Sequence, residues 1–149
     1  MSVPVLTPAL RVAGVEQACD LLRDRGLRLS AARRLVLEAL VAAERPVRAE
    51  EIAAGLGGRL PRSDLASVYR NLETLENHGL VRHLHLGHGP GLYALAAEQR
   101  ELLLCESCFR YVAVDPEYLD GVRAALLEAT GWQARFSHFP LTGLCPECG

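Results

Sequence analysis

Apolar and polar positions alternate with a helical period through the first half of the chain. Val15, Ala18, Cys19 and Leu22 recur at i, i+3, i+4 and i+7, which predicts a helix over 15–25 that stops at Gly26. Ser30 is placed to N-cap a second helix, 31–43, with Leu35, Val36, Ala39 and Leu40 as its inward stripe. Pro46 ends that connection. A third helix is expected over 49–56, with Glu50 and Glu51 in its first turn favouring the helix dipole and Gly57-Gly58 after its end. A fourth spans 64–78 and is closed by Gly79. At about 100° per residue, Leu65, Val68, Leu72 and Leu75 share one face of it, while Ser67, Arg70, Thr74 and Asn77 share the other. Tyr69 lies on the flank of that outer face and Arg62 just before its start.

The period then shortens to that of strands. Segments 80–86 and 92–95, joined by the Gly-rich stretch 87–91, predict a hairpin with a loop too long for a tight two-residue turn. Three helices, a presenting helix and a hairpin follow one another in the order of a winged helix-turn-helix. The uncharged-to-basic outer face of the fourth helix suits insertion into a DNA major groove. Residues 97–100 read as a hinge. Beyond it, Leu102–Leu104 and Tyr111–Val114 predict two antiparallel strands, Asp115-Pro116 opens a helix to Gly131 striped by Leu119, Val122 and Leu126, and 132–141 predicts a last strand. The expected fold class is therefore α+β. A winged-helix DNA-binding domain occupies 1–96, with an arm over 1–13 interrupted by Pro4 and Pro8, and a small α/β dimerisation domain occupies 97–149. A domain of about 50 residues buries too little to stand alone, so a homodimer is expected.

Composition narrows the class. Half of the 149 residues are hydrophobic, yet no apolar run approaches the length of about 18 residues that a membrane span needs. The first residues lack a basic stretch leading into a continuous apolar one, so no secretion signal is read and a cytoplasmic location is expected. The net charge of -2 is divided unevenly: residues 1–97 hold 12 Arg against 10 acids, and residues 98–149 hold 4 Arg against 8 acids. The first half is the one suited to phosphate.

The strongest chemistry lies in two cysteine pairs, Cys105-Glu106-Ser107-Cys108 and Cys145-Pro146-Glu147-Cys148. Four thiolates in two such knuckles close a tetrahedron around one zinc at roughly 2.3 Å per bond, leaving no open position for a substrate. Such a site is structural. A thiol redox pair would open a helix and would not come doubled. Cys19 sits among helical positions and reads as a small buried apolar side chain.

These residues resemble the ferric uptake regulator (Fur) family of metal-responsive repressors, from about Leu21 to Gly149. Leu29-Ser30-Ala31-Ala32-Arg33 is similar to that family's L-T-x-Q-R opening of its second helix, Ser67-Val68-Tyr69-Arg70 to its T-V-Y-R recognition motif, and the cysteine pairs to its zinc knuckles. The resemblance implies a homodimer on a palindromic double-stranded DNA operator, structural zinc on Cys105, Cys108, Cys145 and Cys148, and a second, regulatory divalent metal. It leans to the zinc-sensing branch. By motif match it lends DNA contacts to Arg33, Tyr69 and Arg70, beside Arg62, Ser67 and Thr74 from the helix pattern.

One departure falls where regulation is expected. The family carries a His-rich run just before the first knuckle, whereas this chain reads Ala97-Glu98-Gln99-Arg100-Glu101-Leu102. The remaining candidates for a regulatory metal are His83 and His85, two apart on a strand and so on one side of it, with Glu101 and His138; His88 and Glu98 lie nearby in sequence. Three functions compete: a metal-responsive repressor, a DNA-binding dimer with structural zinc alone, and a thiol-redox enzyme. The last lacks a nucleophile, base and carboxylate at motif spacing, and no small-molecule substrate is expected.

Overall fold

The computed structural model describes residues 14–85, 91–96, 100–136 and 139–149. The described residues fall into two compact units, one of 14–83 with 91–96 and the other of 84–85, 100–136 and 139–149.

The first unit is helical. Helix α1 (Val15–Asp24) buries Ala18, Cys19 and Leu22, the stripe the sequence places inward. Helix α2 (Ala31–Ala43) begins at Ser30, whose side chain accepts a hydrogen bond from the Arg33 amide at 3.1 Å. That cap satisfies one of the amide groups a helix start leaves without a partner. Helix α3 is shorter than its pattern suggests, Ala49–Ala53, because the chain turns left-handed at Gly55 and passes through a single turn, α4 (Gly55–Gly58), in which Leu56 and Gly57 have positive φ. Gly55 is required there: a Cβ on it would meet the Leu60 carbonyl oxygen. Helix α5 (Leu65–Asn77) starts at Asp64, whose carboxylate accepts from the Ser67 amide at 2.9 Å, and is closed by Gly79 at a φ of 76°.

Helix α5 divides the unit. Val68, Leu72 and Leu75 are at most 1% exposed and pack with Leu22, Val36, Leu37, Leu40 and Ile52 into one core. Leu65, expected on the same inward face, is 39% exposed, since it occupies the first turn, where the helix has not yet reached that core. Strands β1 (Val81–Leu84) and β2 (Leu92–Leu95) pair as the two-stranded wing. Val47 joins the wing through an antiparallel bridge to Tyr93, with amide-to-carbonyl bonds of 2.9 and 2.7 Å. Most of the expected wing loop, 87–90, and most of the expected hinge, 97–99, lie outside the described residues.

The second unit carries a three-stranded sheet in the order β4-β3-β5. Strand β3 (Glu101–Cys105) runs antiparallel to β4 (Tyr111–Val114), as the sequence predicts. Strand β5 (Leu141–Gly143) differs from the expected 132–141: it is three residues long, lies later in the chain and pairs parallel with β3, Cys105 facing Gly143. The helix between them is a 3-10 turn, Pro116–Leu119, leading into α6 (Asp120–Thr130). Leu119 is buried, but α6 itself buries none of its residues, and Val122 and Leu126 of the expected stripe are 41% and 38% exposed. Three short strands within one chain give the helix too little apolar surface to cover it. No helix among the described residues is long and apolar enough to cross a membrane.

Leu72 has no exposed surface. Leu72→Ala is expected to lower the unfolding free energy of the first unit by about 2–5 kcal/mol, the usual cost of a buried Leu cavity, as read from urea unfolding followed by helix circular dichroism.

Candidate metal centre and reading face

The two cysteine pairs converge because β3 ends in one knuckle and β5 leads into the other, side by side. Parallel pairing sets Cys105 against Gly143, and the Glu106 amide donates to the Gly143 carbonyl at 2.8 Å. After the first pair the chain turns back through Phe109 at a φ of 60°, its amide bonded to the Cys105 carbonyl. The sulfurs of Cys105, Cys108, Cys145 and Cys148 all lie within 4.8 Å of one another, and those of Cys108 and Cys145 are 3.8 Å apart. A zinc tetrahedron with Zn–S bonds of about 2.3 Å has S···S edges of about 3.8 Å. The donor set therefore fits zinc.

The surroundings favour thiolate. Amides of Cys108 and Cys145 point at the Cys105 sulfur at 3.5 and 3.4 Å, and these donors hold its thiol down to about 6. Cys145 is lowered as well, chiefly by the Glu147 amide, with help from the Arg110 guanidinium at 3.4 Å. Cys148 moves the other way, pushed up to about 11 by its hydrogen bond with Cys145. Zinc held by these four thiolates would carry a net charge of about 2-. Arg110 offsets part of that charge and is fixed by a 2.7 Å ion pair to Glu147. Cys19 takes no part: it is fully buried in the first unit, where burial raises its thiol.

Among the described residues, these four cysteines are the one group of three or more His, Cys, Asp or Glu side chains arranged to hold an ion. The histidines and carboxylates considered for a second metal are placed otherwise. The His83 ring stacks on Tyr93 at 4.5 Å and 9°, lying so close over Gly91 that a Cβ there would strike it. His85 stacks on Phe139 at 5.7 Å. Glu101 is 7% exposed, and its carboxylate accepts from Arg123 Nη1 with both oxygens, at 2.9 and 3.0 Å. Arg123 also pairs with Asp120 at 2.8 Å and donates to the Pro116 carbonyl. His138 lies outside the described residues, as do His88 and Glu98.

The outer face of α5 in the first unit is partly committed. Arg62 and Arg70 are exposed, and Ser67 and Thr74 are half-buried. Thr74 donates its hydroxyl to the Arg70 carbonyl one turn back, at 3.0 Å. Tyr69 is 39% exposed and donates its hydroxyl to Glu50 of α3 at 3.0 Å. Arg33 serves as a clamp: its Nε donates to Asn71 at 3.1 Å and its Nη1 to the Arg28 carbonyl. Asn71, only 7% exposed, in turn donates to the Ser67 carbonyl at 2.9 Å. Sequence periodicity passed over Asn71, since a polar residue beside an apolar stripe gives no sign of its depth.

The model of the ferric uptake regulator family matches residues 24–139. The chain belongs to this family. Its members are transcription regulators and not enzymes, so the thiol-redox alternative is set aside. The peroxide operon regulator of Bacillus subtilis strain 168 is 28% identical over 134 residues, covering 90% of this chain and 92% of the relative. The peroxide-responsive repressor PerR of Staphylococcus saprophyticus is 25% identical over 134 residues, covering 90% of each. The fold is shared with the Helicobacter pylori ferric uptake regulator Fur, described with three functional metal binding sites, at a TM-score of 0.69 and 21% identity over 93% of this chain and 96% of that one.

Cys105→Ser or Cys145→Ser removes one of four thiolates and leaves an open, weaker site. Either substitution is expected to lower zinc from one per chain to well under half in native mass spectrometry after dialysis. Cys19→Ser is expected to leave the zinc content unchanged.

Proposed function

We propose that this chain is a homodimeric, DNA-binding transcriptional repressor of metal-homeostasis genes, acting in the cytoplasm on a palindromic operator and stapled by structural zinc on Cys105, Cys108, Cys145 and Cys148. The observation that carries the reading is helix α5, which buries Val68, Leu72 and Leu75 and leaves Tyr69 and Arg70 exposed on the other side. A helix presented this way before a wing can enter a major groove, with Arg70 offering a bidentate fork to guanine or a phosphate contact. Arg62 and Arg70 are the free-standing candidates for contact, Ser67 and Thr74 line the same face, and Arg33 adds its charge while holding α2 to α5. The dimer is supported by the apolar residues the second unit leaves exposed, among them Val112 at 51%, Leu127 at 47% and Leu144 at 59%. A second copy would cover them at little cost in polar burial.

For regulation, we propose a divalent metal, zinc by preference, on His83 and His85 with Glu101 and His138. Neutral imidazoles and a carboxylate suit such an ion. A second reading, structural zinc without metal sensing, is favoured by one observation: Arg123 already supplies the cation that the Glu101 carboxylate would otherwise seek in a metal. Breaking a buried pair to recruit one partner leaves the other charge uncompensated, which opposes use of Glu101 as a ligand.

Arg70→Ala is expected to weaken binding to the promoter fragment beside its own gene by about 5- to 150-fold in mobility-shift titrations, equivalent to about 1–3 kcal/mol, with the zinc content and dimer unchanged. Affinity that stays at the parent value removes Arg70 from the reading face. Replacing His83 and His85 together by Ala is expected to abolish the stimulation of binding by added zinc while sparing zinc on the four cysteines. A parent chain that holds one zinc and binds equally well with or without further metal selects the second reading.

A further inference from the structure

Tyr69 donates its hydroxyl to the Glu50 carboxylate, on a different helix, at 3.0 Å. The backbone of Glu50 is held in place, while its side chain is exposed. It lies in the first turn of α3, which is anchored by the buried side chains of Ala49 and Ile52 and held at its start by Glu51, whose carboxylate accepts from the Arg48 amide at 3.2 Å. The backbone at Tyr69 is likewise held, since its neighbour Val68 is in the core. The contact therefore joins two rigid helices and needs no rearrangement of either backbone.

A phenol has one proton to donate and lone pairs to accept with. Here the proton is committed to a carboxylate, which also raises the phenol above its ordinary range. What Tyr69 then offers outward is its ring and an oxygen that can accept only. Phosphate oxygens are acceptors and carry negative charge, so they match neither this oxygen nor the Glu50 carboxylate beside it. The exocyclic amino groups of adenine and cytosine in the major groove are donors, and they do match.

We propose that Glu50 is a positioning residue for DNA selection: by holding the Tyr69 proton it turns Tyr69 into an acceptor for a base amino group and turns the contact away from the phosphate backbone. The assignment rests on the DNA-binding reading above and adds to it a residue that discriminates without touching the base. Selectivity of this kind uses a repulsive element against the wrong partner as well as an attractive one for the right partner.

The test has a part without DNA and a part with it. In the free protein, the Tyr69 ring and the Glu50 side chain are expected to give a nuclear Overhauser cross-peak; its absence overturns the assignment. With DNA, the ratio of affinity for the promoter fragment to affinity for a scrambled fragment of equal length is measured for the parent, Glu50→Ala, Glu50→Gln, Tyr69→Phe and the Glu50→Ala, Tyr69→Phe double variant. Glu50→Ala is expected to lower the ratio about three- to tenfold, mostly by tighter binding to the scrambled fragment, and Tyr69→Phe to lower it by weaker binding to the promoter. The double variant falls no further than the worse single one, and Glu50→Gln, which keeps a carbonyl acceptor, restores most of the ratio. A charge effect alone would move Gln and Ala together, and that result overturns the proposal. A parent that selects its fragment while Glu50→Ala selects it equally well overturns the assignment alone. A parent with the cross-peak but no preference for the promoter fragment overturns the DNA-binding reading, and the assignment with it.

Discussion

Four sulfurs within 4.8 Å of one another are the constraint on which the second unit depends. Four thiolates that close repel, and four thiols that close leave donors and acceptors poorly matched; one divalent cation resolves both difficulties. The sheet around them is too small to replace that contribution. Its strands are five, four and three residues long, and the helix beside it buries none of its own side chains. Amides aimed at Cys105 and the guanidinium of Arg110 prepare the cluster for negative charge before any metal arrives.

The first unit answers to a different physics. Its stability comes from apolar burial in one continuous core, and its chemistry is what α5 leaves outside that core. Polar residues on and beside the outer side of α5 are tied down: Arg33 to Asn71 and the Arg28 carbonyl, Tyr69 to Glu50 of α3, and Thr74 to a carbonyl of its own helix. A face built in this way loses little side-chain freedom when a partner docks, which is a route to affinity without more contacts.

Much of this was legible along the chain. The cap at Ser30, the glycine stop at Gly79 and the inward stripe of α1 are local signals that appear where the sequence places them, whereas α2 buries Leu37 in place of the expected Leu35, which is half-buried. The doubled C-x2-C spacing marks the metal centre because few other uses need four thiols in that pattern. What escaped notice depends on partners distant in sequence. The pairing of Glu101 with Arg123 joins residues 22 apart, and Asn71 meets an arginine 38 residues away. Strand β5 was misplaced because Trp132 to Pro140 has the apolar content of a strand, whereas the pairing is fixed by the knuckle that follows it. The stripe on α6 has a helical period, but period alone does not say whether the surface it meets belongs to the same chain.

The parallel pairing of β5 with β3 bears on the order in which the molecule is assembled. Strands β3 and β4 are joined by the short link 106–110 and can zip locally, whereas β5 returns from 38 residues away, Cys105 to Gly143, a closure with a larger entropic cost. Apart from that pairing, each knuckle offers two sulfurs, and a bidentate thiolate pair holds an ion far less firmly than a closed tetrahedron. The four-sulfur set is complete only where β5 lies beside β3, so a chelator would meet a closed tetrahedron in the folded unit and no more than a bidentate pair in a chain whose last strand has not docked.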